Sequence, residues 1–187
     1  MNSPSHERIV QAADELFYAK GIQSVGMDAI RAAAGVSLKR LYAEFGSKED
    51  LLIAVLDHRS AIWDRGLQEA SAAAETPQAK LLAVYDFLDD WFRTDEFRGC
   101  GFINAFGELG SESPRVAETA RAQKQAFQAY VADLVRELGA PAELGAQLAL
   151  LAEGAQTTAA INGTPDAAAH ARSAARLLIS ATLGQQA

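Results

Sequence analysis

The 187-residue chain has one cysteine, three histidines and five prolines, and no run of about 18 apolar residues of the kind that crosses a bilayer. A lone Cys100 excludes an internal disulfide, and His6, His58 and His170 are too scattered for a metal site. Disulfide and zinc scaffolds are therefore out, and no cofactor or metal is expected. The first ten residues carry no basic segment followed by an apolar stretch, so no secretory signal is expected and the chain reads as cytoplasmic. Sustained apolar–polar alternation with β-branched residues is missing, which leaves strands without support. No nucleophile, base and orienting group occur together, and no phosphate-cradling glycine loop follows a strand, so catalysis is not expected.

What is present is ordinary globular composition, 49% hydrophobic and 22% charged, with a net charge of -7. That acidity is unevenly spread. Residues 1–50 hold six Lys or Arg against seven Asp or Glu, whereas residues 51–187 hold eleven against seventeen. A nucleic-acid partner is thus not excluded for the first part, because the local field decides such binding.

Four prolines follow Thr, Ser or Ala at Pro77, Pro114, Pro141 and Pro165, where the missing N–H suits a first helical turn. Apolar residues then recur at helical spacing, as in Leu81, Val84, Tyr85, Leu88, Trp91 and Phe92, and in Phe127, Tyr130, Val131, Leu134 and Leu138. The fold class predicted is all-α, with about nine helices: 5–20, 27–34, 38–45, 47–74, 77–96, 101–111, 114–138, 141–162 and 165–184.

The residues with the clearest chemistry run from Ala29 to Tyr42. Gly35 ends one short helix, Val36 fills a corner, and Ser37 caps a second helix, which holds the pair at a steep angle. Leu41 and Phe45 are four apart and face the first helix. Ser37, Leu38, Lys39, Arg40, Tyr42 and Glu44 are left outward, able to enter a DNA major groove. Arg40 suits bidentate recognition of guanine, and Lys39 suits phosphate. Lys48 lies at the next helix start, where Ser47 and Asp50 form a capping pair.

Gly35-Val36-Ser37, Leu41-Tyr42, Phe45, Ser47-Lys48-Glu49 and Leu51 together resemble the N-terminal domain of the TetR family of transcriptional regulators. The resemblance covers about residues 6–66 and implies a helix-turn-helix domain there, with residues 67–187 a helical regulatory and dimerisation domain. It implies a homodimer on a palindromic double-stranded DNA operator, a repressor released by a small-molecule inducer, and phosphate contacts from Tyr42 and Lys48. The family often has Thr or Ser where this chain has Val25 and Gly26. A helical protein-interaction module, or a regulator without a ligand, stays open as an alternative.

For the second part, the expected pocket comprises Trp63, Leu67, Tyr85, Leu88, Cys100, Phe102, Asn104, Phe106, Glu108 and Phe127. The resemblance places the short helix carrying Asn104 and Glu108 between ligand and DNA head. Cys100, near Arg98, is a candidate redox or electrophile sensor. The last two helices, rich in Ala and Gly, are the expected dimer interface through Leu144, Leu148, Leu151, Leu177 and Leu178, which would set two reading helices about 34 Å apart.

Overall fold

A computed structural model describes residues 3–184, which contain nine α-helices and no strand. They are α1 (Pro4–Lys20), α2 (Met27–Ala34), α3 (Leu38–Glu44), α4 (Lys48–Ala72), α5 (Pro77–Phe92), α6 (Gly101–Leu109), α7 (Pro114–Glu137), α8 (Ala142–Asn162) and α9 (Asp166–Gly184). Among the described residues, no helix is long and apolar enough to cross a membrane.

Capping explains most of the starts. The Ser3, Thr76 and Ser113 hydroxyls accept from the amides of His6, Ala79 and Val116, each with proline at the first helical position. Pro4 thus joins the prolines that open helices, while Pro141 sits one residue earlier, at the cap of α8. Helix α5 stops at Phe92 rather than 96. The Thr94 hydroxyl donates to the Trp91 carbonyl, and the chain turns so that the Phe97 ring meets those of Trp91 at 5.0 Å and Phe92 at 4.7 Å.

The helices form two compact units. One runs through Ile62 and includes Gly101–Arg121; the other comprises Trp63–Cys100 and the chain from Ala122 on. The expected division after residue 66 differs from this grouping at residues 63–66, which fall in the second unit, and at residues 101–121, which pack with the first. Polar ties account for the second difference. Ser113 donates to Glu49, Arg115 pairs with Glu49 and Asp50, and Glu108 accepts from the amides of Ile22 and Gln23. The core of this unit buries Ile9, Ala13, Phe17, Ile30, Leu41, Leu51 and Val55. Arg59 pairs with Asp14 and lies 3.7 Å from the Tyr18 ring centroid. Burial nonetheless outweighs that pairing and raises the Asp14 carboxyl above its usual value.

In the second unit, Leu81, Val84, Tyr85 and Leu88 of α5 join Phe127, Val131 and Leu134 of α7 in one core with α8 and α9. Ala152, Ala155, Ala159, Ala168 and Ala175 are buried there, so small side chains bring the last two helices close. The Tyr85 hydroxyl donates to the Leu148 carbonyl at 2.8 Å.

Gln156 is wholly buried in this core, and among the described residues its Oε1 has no hydrogen-bond partner and its amide nitrogen reaches only the Ala152 carbonyl at 3.4 Å. An unpaired buried acceptor costs about 1–3 kcal/mol. Gln156→Leu, close in volume, is therefore expected to raise the urea midpoint by the equivalent of about 1 kcal/mol. A lower midpoint would show that the amide supports the fold.

Candidate nucleic-acid interface

The geometry of α2 and α3 follows from three residues. Gly35 adopts the left-handed conformation at φ 64°, Val36 N–H returns to the Arg31 carbonyl at 3.1 Å, and the Ser37 hydroxyl accepts from Arg40 N–H at 3.1 Å. Leu41 is 0% exposed, with Phe45 and Ile30 also buried, so one face of α3 is fixed inward. Ser37, Leu38, Lys39, Arg40 and Tyr42 are exposed on the other.

The charged residues of this face differ in their freedom. No hydrogen bond, ion pair or ring contact engages Lys39 among the described residues. Lys48, half-buried at the start of α4, holds its ammonium 5.7 Å from the Phe17 ring centroid. Burial lowers its pKa while the charge of Glu108 opposes the shift.

Glu44 departs from the expectation of an outward, base-facing carboxylate. Its side chain is 17% exposed, and Oε1 accepts from the hydroxyls of Ser3 at 2.7 Å and Ser5 at 2.9 Å and from Arg40 Nη2 at 2.6 Å. The serine bonds, then the charges of Arg40 and His6, hold it below the usual carboxylate value. Arg40 in turn is bound back toward the chain start rather than free. The contacts of Ser3 and Ser5 with α3, some 35 residues away, have no local trace in the sequence.

Helix α6 meets the head through one carboxylate. Glu108 Oε1 and Oε2 each accept at 3.0 Å, from the amides of Ile22 and Gln23, and the Gln23 side chain donates to the Glu108 carbonyl at 2.8 Å. The loop between α1 and α2 can present those amides because Gly21 turns at φ 84°.

The residues expected to form one pocket are divided between the two units. Phe102, Asn104, Phe106 and Glu108 belong to the first unit, where Phe102 is buried, Asn104 and Phe106 are exposed, and the Glu108 carboxylate is occupied by the head. Trp63, Leu67, Tyr85, Leu88, Cys100 and Phe127 belong to the second. There Leu67, Tyr85, Leu88 and Phe127 are core residues. Cys100 is buried with Lys124 Nζ 3.2 Å from its sulfur, and Lys124 also pairs with Glu153 at 2.8 Å. Half-buried Trp63 packs edge-on against Phe87, Trp91 and Phe127.

Of the expected dimer residues, Leu144 and Leu148 are buried in the chain's own core and so do not face outward; Leu151 and Leu178 are half-buried. Leu177 is 66% exposed, and Leu150 at 72% and Ile161 at 79% are exposed as well.

This is a helix-turn-helix head carried by an all-helical chain. The family described as "Bacterial regulatory proteins, tetR family" matches residues 9–55. The HTH-type transcriptional activator FasR of Mycolicibacterium smegmatis is 29% identical over 151 residues, which span 79% of this chain and 68% of that protein. A TetR-family transcriptional regulator from Streptomyces coelicolor superposes with a TM-score of 0.88 at 28% identity, covering 95% of each chain. The regulatory protein TetR from Rhodobacter sphaeroides superposes at 0.76 with 25% identity, over 95% of this chain and 98% of that one. Residues 9–55 thus match the TetR-family head, and the chain as a whole is similar in fold to TetR-family transcriptional regulators.

The Glu108 clamp has a local readout. Glu108→Gln removes the charge from both amide bonds, so the Ile22 and Gln23 amide protons are expected to exchange at least about tenfold faster, since bonds to charged groups contribute about 1.5–3 kcal/mol. Unchanged exchange at both amides would mean that the carboxylate does not hold this loop.

Proposed function

We propose that the chain acts as a homodimeric repressor in the cytoplasm, reading a partly palindromic operator with α3 and leaving it when a small molecule binds the second unit. The observation that carries the DNA reading is the division of α3. Leu41 and Phe45 face inward, while Ser37, Leu38, Lys39, Arg40 and Tyr42 stand exposed on the side an operator would meet. Tyr42 and Lys48 grip phosphate in this reading, and Arg40 and Lys39 face the groove. Lys48 can serve an anion although Glu49 and Asp50 follow it, because Ser113 and Arg115 take up those carboxylates.

The dimer reading is supported by Leu150, Gly154, Thr157 and Ile161, exposed at helical spacing on α8, together with Leu177 on α9. Partly buried Leu151 and Leu178 would border that face. The ligand reading is supported by three buried polar atoms of the second unit that lack a partner among the described residues: the donor Trp63 Nε1 and the acceptors Gln123 Oε1 and Gln156 Oε1. Such groups suit a molecule with an apolar body and both donor and acceptor atoms. Repression is what the family resemblance implies. FasR carries the name of an activator, and a reporter whose expression falls when this protein is removed would favour that sign.

Selection from a random DNA pool is expected to enrich half-sites about 10 bp apart, one helical turn. Lys48→Ala should weaken binding to all sequences and flatten the log affinity against log salt slope by about one unit per protomer. An unenriched pool, or a slope untouched by this variant, would contradict the reading.

Leu150→Glu with Leu177→Glu is expected to convert a sedimenting dimer to a folded monomer at micromolar concentration. A wild-type monomer under those conditions would count against the dimer.

A further inference from the structure

We propose that Glu44 and Ser5 are positioning residues that hold the Arg40 guanidinium in a fixed orientation and so determine how strongly one base pair of each half-site is discriminated. This rests on the reading of α3 as the helix that meets DNA. Arg40 Nε donates to the Ser5 hydroxyl at 3.0 Å, and Nη2 reaches Ser5 at 2.6 Å, Glu44 at 2.6 Å and Ser3 at 3.3 Å. Nη1 has no partner among the described residues. Nε and Nη2 therefore face the start of α1, and the N–H groups of Nη1 are left to donate. A guanidinium held from one side in this way offers Nη1 to an acceptor on the guanine edge in the major groove.

The supporting residues are themselves fixed. Ser3 caps α1 through the His6 amide, Ser5 lies in its first turn, and Ser3 and Ser5 both donate to the Glu44 oxygen that receives Arg40. His6 Nδ1 lies 3.7 Å from the other Glu44 oxygen, and its ring is 4.7 Å from that of buried Phe45. Two elements far apart in the chain thus meet on one arginine. The arrangement also divides labour between charges. Arg40, neutralised by Glu44, contributes orientation, whereas an arginine released from the carboxylate would be free to pair with any nearby phosphate and bind without regard to sequence.

The experiment compares full-length wild type with Arg40→Ala, Glu44→Gln, Ser5→Ala and Ser5→Thr. DNA is first selected with the wild type, and affinities are then measured for duplexes changed at each position. Arg40→Ala should flatten preference at one position per half-site by about tenfold or more. Glu44→Gln and Ser5→Ala should flatten that same position while sparing the others, and Ser5→Thr, which keeps a hydroxyl, should restore it. Glu44→Gln should also steepen the salt dependence, since the freed arginine gains a phosphate. A uniform loss of affinity in Glu44→Gln and Ser5→Ala would mean a merely structural role and would overturn the proposal. So would an unchanged preference in those variants where Arg40→Ala flattens it, or no position responding to Arg40→Ala. If the wild type enriches no sequence, the reading of α3 itself fails, a distinct result that removes the proposal's footing.

Discussion

A helix of seven residues cannot persist in water on its own hydrogen bonds, because nucleation fixes several residues for each bond gained. Helix α3 has seven, and it exists because Leu41 and Phe45 are buried with Ile30. Burying two such side chains supplies about 3–6 kcal/mol, more than so short a helix lacks. The same burial fixes rotation. With one face committed to the core, Lys39 and Tyr42 can only stand outward, so the stability of the head and the choice of residues offered to DNA come from one set of contacts. Gly35 and Ser37 set the angle at which that face is offered.

Charge is organised around this helix rather than spread over it. Most of the acidic residues of the first unit that could repel phosphate near α3 and the start of α4 are bound: Glu44 by Ser3, Ser5 and Arg40, Glu49 and Asp50 by Ser113 and Arg115, and Glu108 by two backbone amides. An overall charge of -7 is therefore compatible with a family that binds DNA, because what a phosphate meets is the local arrangement. The Glu108 contacts also make α6 part of the head, so a movement of α6 would reach the α1–α2 loop without an intermediary.

Helix order and most helix ends were legible because caps, prolines and the 3.6-residue period are local. Ser37, Gly35 and the Ser47–Asp50 pair stand as the sequence indicates. The fate of individual carboxylates was not legible. Glu44 reads as outward and Glu108 as pocket-lining from the sequence, yet one is bound by residues some 40 positions away and the other by residues some 85 positions away. The expected pocket residues differ in burial for the same reason: periodicity marks Leu88 and Phe106 alike as apolar, and only packing separates a core residue from an exposed one. Leu144 and Leu148 were likewise drawn to the chain's own core, while Leu150, two positions on, turned outward.

The claim on which the account turns is that the exposed face of α3 is what DNA meets. Backbone amide shifts recorded during titration with a selected duplex test it directly. The account predicts the largest changes at Ser37 to Tyr42 and at Lys48, with the buried amides of α5 and α8 little affected. Large changes confined to the second unit, with α3 unmoved, would contradict it.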